Sequence, residues 1–388
     1  MVRFKMIAKD LDSSPAQYRT WVVNDTPDYT ASLYTGYKSG NLPLFAISAV
    51  ELLDDNVVGS FSLPKGKTWS SSRKVLPFQA NSSQAAVIDG YAYLFGGLSS
   101  NKILRSPLNN PTQFIDTGAT LPTNLFKSQI VVTDGYVYLF GGNTGISKGF
   151  ATDHIYSAPR SNPLNWTDLG ALLPGPLFNS QLSIVDGTAY LFGGSDNIGV
   201  KNVIYTASVS NLLSWANSGT IPNAIQGSTL GIIGSKLYLF GGETNQIFVA
   251  PLSDLLSSWT INDLMLPAAI SNSQFVRIGD KSFLIGGSPD GTKIYTCDNA
   301  KPTLWQVTDS LPGEVYNSQL IIVDDRLYLL GGNGSTAIFV SEMKYKYTAT
   351  DPTAIAYGNA TKTLVAANPA INLFKFIGSA PWKTDYKK

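Results

Sequence analysis

Two residue types on which much enzyme and metal chemistry rests are almost missing from this chain of 388 residues, which has one cysteine, Cys297, and one histidine, His154. A lone cysteine forms no internal disulfide, so cysteine usage neither requires nor excludes an oxidising compartment. One histidine and one cysteine cannot supply the three or four ligands of a zinc-type site, and a Ser-His-Asp or Cys-His arrangement has to be built around His154. Charge is also scarce: 28 basic residues stand against 27 acidic ones, a formal net charge of +1. With so little field and no basic cluster beyond short lysine runs, nucleic acid is disfavoured as a partner. No apolar window reaches the ~20 residues of a membrane span, and Met1 to Asp12 lack the apolar stretch of a secretory signal. These absences predict no metal, no cofactor, no membrane insertion, and a soluble chain that is not exported by a visible signal.

What the chain has in abundance is glycine, 35 residues, and it is not scattered. A unit recurs six times: a proline, five residues, a serine, twelve residues, a glycine pair. The prolines are Pro77, Pro122, Pro174, Pro222, Pro267 and Pro312; the serines are Ser83, Ser128, Ser180, Ser228, Ser273 and Ser318. The pairs begin at Gly96, Gly141, Gly193, Gly241, Gly286 and Gly331, so the distance between pairs varies from 45 to 52 residues while the inner spacings stay fixed. A rigid unit with elastic connections and a period in the forties marks a radial or stacked repeat.

Within each copy a short apolar run follows the serine, then a tight turn at Asp89-Gly90, Asp134-Gly135, Asp186-Gly187 or Asp324-Asp325, then a second apolar run ending in the glycine pair. Asp-Gly between two such runs is a two-residue hairpin signal, since both positions accept positive φ. Third strands are expected around Ile155, Ile204, Ile247, Ile294 and Ile338, and fourth strands from Trp166, Trp215, Trp259 or Trp305, with Phe114 in that place in the first copy. Four strands per unit make a propeller blade.

The diglycine after Leu-Phe, followed by an aromatic and then a tryptophan, resembles the kelch repeat over about residues 67 to 343. Tyr156, Tyr205, Phe248 and Tyr295 lie ten or eleven residues before the tryptophan, farther than in the usual kelch pattern. The resemblance implies an all-β, six-bladed kelch-like β-propeller of four-stranded blades. The last copy lacks a tryptophan strand and the segment at Trp69 lacks a blade, so pairing the two closes the ring and removes exposed edges. Seven blades is the alternative, with Ser48 to Val58 echoing Ser318 to Tyr328 and a further hairpin-like stretch at Ala354 to Ala367. The expected organisation is residues 1–66 as an N-terminal extension or attachment arm, 67–343 as the propeller and 344–388 as a C-terminal extension. The arms either wrap the propeller or dock onto other subunits of an assembly.

Candidate chemistry comes from loops that a propeller gathers on one face. Asp153, Asp196, Glu243 and Asp290 follow successive glycine pairs, but none has a calcium-loop spacing, and turns favour aspartate in any case. The starts of the first strands are better placed for recognition, because the innermost strand begins beside the axis. Gln129, Gln181 and Gln319, in Lys127-Ser128-Gln129, Asn179-Ser180-Gln181 and Asn317-Ser318-Gln319, should ring the channel mouth, with Phe126, Phe178 and Tyr316 lining the same opening. Phe150 and Asp196 lie on the two most variable loops of that face. Apolar rings beside neutral hydrogen-bonding groups suit sugars or peptides. In the competing reading, these serines and asparagines satisfy backbone groups between blades and the aromatics fill gaps.

The low charge, the Asn/Ser/Thr-rich surface and the polar arms resemble bacteriophage virion propellers of the tail, nozzle or capsid surface. The resulting expectation is a non-enzymatic scaffold and binding protein of the virion, or otherwise a cytoplasmic one. Its partners would be other subunits of a protein assembly and a surface glycan or peptide. The alternatives are a carbohydrate-active kelch enzyme similar to the sialic-acid mutarotases, or a kelch interaction adaptor. A copper site like that of galactose oxidase, a kelch-type enzyme, is excluded by the histidine count. Arg105, Arg160, Arg277 and Arg326 do not recur at one repeat position.

Overall fold

The computed structural model describes residues 69–341 apart from 146–149 and 324–325, together with the backbone of four terminal strands. The chain divides into two compact units, one spanning residues 63–344 and the other combining residues 1–62 with 345–388. The larger unit is a propeller of six antiparallel four-stranded blades. Blade 1 runs Gln84–Ile88, Tyr91–Gly97, Ser100–Pro107 and Ile115–Thr120, and each later copy of the repeat builds the next blade in the same order. The sixth blade is completed by Trp69–Ser71, which pairs with Ile338–Ser341 in the register Ser341↔Trp69, Val340↔Ser70, Phe339↔Ser71. That pairing is the closure expected from the unfinished last copy.

The blades are fastened by the residues that the repeat holds constant. In the first glycine of each of the five pairs from Gly96 to Gly286, φ lies between +57° and +70°, a region that penalises any Cβ. A Cβ at Gly141 would also sit 2.2 Å from the carbonyl oxygen of Leu177 in the next blade. The second glycine donates across the same seam, as in Gly142 N–H to Leu177 O at 2.8 Å and Gly194 N–H to Ile225 O at 2.7 Å. The phenylalanine preceding the pair receives the next blade's tryptophan edge-on: Phe95–Trp166 at 5.1 Å, Phe140–Trp215 at 5.0 Å, Phe192–Trp259 at 5.3 Å and Phe240–Trp305 at 5.0 Å. Each of these indoles is buried and donates its Nε1–H to a carbonyl three or four residues earlier, so no polar atom is stranded. In the first blade Phe114 replaces the tryptophan and packs in the same cluster as Leu330 of blade 6.

One ring of hydrogen bonds closes around the axis. The residue before each repeat serine adopts a left-handed conformation: Ser82, Lys127, Asn179, Gly227, Asn272 and Asn317, with φ from +54° to +59°. Each donates its backbone N–H to the carbonyl of its counterpart in the preceding blade. The bonds are Lys127 to Ser82 (2.9 Å), Asn179 to Lys127 (2.9 Å), Gly227 to Asn179 (3.0 Å), Asn272 to Gly227 (2.7 Å), Asn317 to Asn272 (3.1 Å) and Ser82 to Asn317 (2.8 Å). Every blade is thereby a donor to one neighbour and an acceptor from the other.

The hairpin turns vary. Asp89-Gly90 and Asp186-Gly187 have positive φ at both residues, as the Asp-Gly signal predicts. Asp134-Gly135 does not, because Thr133 closes that turn with its own N–H and hydroxyl bonded to Tyr136 O at 2.8 and 2.9 Å. Asp324-Asp325 and the stretch at Ala354 to Ala367 lie outside the described residues. The seventh-blade alternative is corrected: Phe45–Leu52 pairs antiparallel with Arg3–Asp10 in the terminal unit. That sheet has the order Trp382–Tyr386, Gln17–Asp25, Arg3–Asp10, Phe45–Leu52, so strands from both ends of the sequence share it.

Gly141→Ala should lower stability by about 3 kcal/mol, since it combines a strained φ with a clash against backbone. Gly90→Ala, where a Cβ meets nothing within 4 Å, should cost only about 1 kcal/mol from φ alone. Urea melts of the two variants check the difference; equal costs would mean that the glycine pair is not the seam.

Candidate functional site

At the strand starts the axis opens into a cup of about 240 Å³, below the roughly 300–1,000 Å³ of drug-sized pockets and suited to a monosaccharide-sized ligand. Every blade contributes to its wall from the stretch around the repeat serine, and the residue after that serine is Gln84, Gln129, Gln181, Gln274 or Gln319, with Thr229 in blade 4. Its apolar lining is Leu230 and Phe275. Phe275 reaches that position because blade 4 has glycine opposite it: a Cβ on Gly231 would lie 2.6 Å from the ring. The ring stacks on Phe240 at 5.9 Å.

Much of the wall is committed to holding blades together. Gln129 Nε2 donates to Ser180 O at 2.7 Å and Gln274 Nε2 to Ser318 O at 2.8 Å, each across a blade boundary. Thr229 makes the equivalent link to Ser273, and Gln319 Oε1 accepts from Ala85 N–H at 3.2 Å. These glutamines and Thr229 therefore link blades while remaining in the cup, a role that the competing reading gave to the serines and asparagines. Gln181 bonds only the adjacent Ser180 O, at 3.1 Å, which leaves most of its amide to the cavity.

Lys127 breaks the pattern. It is the one charged residue among those lining the cup, and it stands in the left-handed ring where the other five positions carry Ser, Asn or Gly. Left-handed backbone suits Gly and Asn and costs a long side chain roughly 1 kcal/mol or more. Burial pushes its ammonium below the usual lysine range, and only the field of Glu243 opposes the shift. Glu243 itself accepts from Gln226 Nε2 at 3.1 Å on the exposed loop after the fourth glycine pair. Among the described residues Lys102, Lys201, Lys281 and Lys293 sit on Asp116, Asp196, Asp298 and Asp290 at 2.7–3.1 Å. Lys127 has no such pair.

The other expected residues lie elsewhere. Phe126, Phe178 and Tyr316 do not line the cup. Phe126 and Phe178 form backbone bridges to Asn143 and Ser195, in the loops that follow the glycine pairs, and Tyr316 O accepts from Asn333 N–H at 2.9 Å in the corresponding loop. Phe150 is half exposed and lies over Gly145, at whose Cβ position its ring would be 2.5 Å away. Asp196 caps its own loop, accepting from Ile198 and Gly199 N–H at 2.7 and 2.9 Å and from Lys201. Partial burial would raise its carboxyl, but these donors outweigh it and hold the group below the ordinary range. Asp290 is similarly taken up by Thr292 and Lys293. His154 pairs through Nδ1 with Asp168 at 2.9 Å at the protein surface. Cys297 is buried, and burial pushes its thiol up to about 12, which removes it as a nucleophile. No group of three or more His, Cys, Asp or Glu that could hold a metal occurs among the described residues. What the sequence reading missed was Lys127 as an exception, and the signal was present: a lysine where its repeat partners are Ser, Asn, Gly, Asn and Asn.

No family model matches the chain. Among curated proteins it is similar to Kelch domain-containing protein 3 of Bos taurus and Mus musculus, 31% identical over 103 residues in each. The human protein of that name matches at 31% over 107 residues. The matched segment is 23–24% of this chain and spans only about a quarter of those relatives, 26–27% of their length. Among solved structures the propeller is similar to YjhT, with a TM-score of 0.55 and 15% identity over 68% of this chain and 94% of that one. The fold is a kelch-type six-bladed propeller. This likeness overturns the expectation that the chain is not an enzyme. The propeller matches 94% of YjhT, a likeness of fold.

Lys127→Asn should stabilise the protein by about 1 kcal/mol at neutral pH, because it relieves both the left-handed lysine and the desolvated ammonium. The folded pKa of Lys127 lies below its unfolded value, so the penalty is full below the folded pKa and is relieved as pH rises past it towards the ordinary lysine range. The gain should therefore shrink as pH rises, leaving the part due to φ. Denaturant melts at neutral and alkaline pH measure this, and a destabilised variant would contradict the assignment of strain to Lys127.

Proposed function

We propose that the axial cup is the functional site and that the protein is carbohydrate-active, binding a monosaccharide-sized, hydroxyl-rich ligand and catalysing proton transfer on it. The observation that carries this reading is the cup's composition: neutral amides and hydroxyls around an apolar patch, with one uncommitted amine. Amides offer donors and acceptors in equal measure, as hydroxyls do, while Phe275 gives an aromatic face for the carbon side of a sugar ring. Interconversion of anomers needs a proton removed from the anomeric hydroxyl and one delivered to the ring oxygen. An amine whose pKa is lowered gives up its proton more readily than an ordinary lysine and can return it, and Lys127 is the group in the cup that burial shifts in this direction. The likeness to a kelch-type propeller supports the reading at the level of fold.

The test is ligand-observed NMR of the full chain with a panel of neutral and acidic monosaccharides, combined with exchange spectroscopy between their anomers. Saturable binding with accelerated exchange is expected. Lys127→Met should reduce the acceleration by about 10²-fold while weakening binding far less. A panel in which no sugar binds sinks the proposal.

A second reading concerns the terminal unit. Strands from both ends of the sequence share its one sheet, which favours a dedicated attachment module for a larger assembly, the role that the virion resemblance implies. Light scattering of the full chain should then give a mass above one chain, and removal of residues 382–388 should return it to a monomer. A monomeric full chain argues against it.

A further inference from the structure

We propose that Lys127 is a nucleophile that forms a reversible imine with the carbonyl group of an aldehyde or ketone ligand held in the axial cup, the open-chain form of a sugar being the natural case. The proposal deepens the carbohydrate reading and rests on the same cup. Its geometric basis is the position of the amine. The backbone of Lys127 is fixed at both ends by the axial ring, its N–H bonded to Ser82 and its C=O to Asn179. Lys127 is one of the residues that line the cup, and none of the others carries a carboxylate that would compete for its amine. A lysine kept at a strained position without an ion-pair partner among the described residues is not explained by the fold, since Asn or Gly serves the ring in four of the other five blades.

The chemistry balances without a co-reactant. The neutral amine attacks the carbonyl carbon, forming a C–N bond while the carbonyl electron pair moves to oxygen, which takes up the proton that nitrogen releases. The carbinolamine hydroxyl takes a proton from solvent and leaves as water while the nitrogen lone pair forms the C=N bond, and the iminium nitrogen returns a proton to solvent, so that amine and carbonyl give imine and water. Water attack reverses both steps and returns the ligand. Burial favours the neutral amine that attack requires, and Glu243, the charged group whose field reaches Lys127, opposes it. The amides of Asn179 and Asn272, which meet over Gly227 on the cup's rim, are placed to bond the hydroxyls of the same ligand.

The full chain is incubated with glycolaldehyde and sodium cyanoborohydride at neutral pH, and the reduced adduct is located by intact mass and peptide mapping. Glycolaldehyde is small enough for the cup, and the hydride traps the imine as a secondary amine. A single adduct at Lys127 is expected, formed at least about tenfold faster than at the exposed Lys74, Lys236 or Lys301. Lys127→Met and Lys127→Arg should each lose it with an unchanged circular dichroism spectrum, and Glu243→Gln should speed it by leaving more free amine. Labelling spread over all lysines at one rate, or slower at Lys127, overturns the proposal. If sugars bind in the NMR titration and no imine is trapped, the carbohydrate reading stands without the nucleophile. If the imine is trapped and no sugar binds, the nucleophile stands and the ligand is another small carbonyl compound.

Discussion

Everything in the propeller is referred to six backbone hydrogen bonds that join one left-handed residue per blade into a closed loop about the axis. Each bond needs its donor and acceptor within a few tenths of an ångström, so the loop fixes how far every blade stands from the centre and how it is rotated. A ring of six such bonds leaves no unpaired end, and the blades cannot slip past one another without breaking a buried or half-buried pair. The tryptophan-to-phenylalanine contacts and the glycine seams act farther out along the same boundaries and are compatible only with the spacing that the loop sets.

The same constraint fixes the shape of the cup at the mouth. Positions immediately after the loop residue have their backbone locked by it, so their side chains form a wall of fixed shape from one strand of each blade. Glutamines in that wall spend part of their hydrogen bonding on the neighbouring blade, which stiffens the amides that remain. In a wall that is otherwise neutral, Lys127 is the one source of charge.

Six blades, their closure by the strand at Trp69 and the clustering of Gln129, Gln181 and Gln319 at the axis were legible because each follows from spacing or alternation, which sequence carries directly. The placement of Phe126, Phe178 and Tyr316 was not. Simple strand alternation would put residues two before the serine near the mouth, but the left-handed residue between them reverses the chain, and these aromatics bridge to the glycine loops instead. Asp196 looked like loop-face chemistry and is occupied by its own turn and Lys201, a local hydrogen-bonding habit of aspartate that spacing alone cannot distinguish from a free carboxylate. Lys127 was in view as part of a repeated triplet, and its significance appears only when the backbone shows that the position is left-handed and the amine has no partner among the described residues.

The closure of the sixth blade has a mechanical side. The first described strand of the propeller and the last are hydrogen-bonded neighbours, with Trp69 directly opposite Ser341. The two ends of the propeller segment therefore leave from adjacent points on one blade. Tension applied through both ends acts on that three-pair ladder first, opening it one pair at a time instead of shearing it. The ladder is the weak link under load, and while it is intact a pull on the ends does not reach the axial loop or the cup.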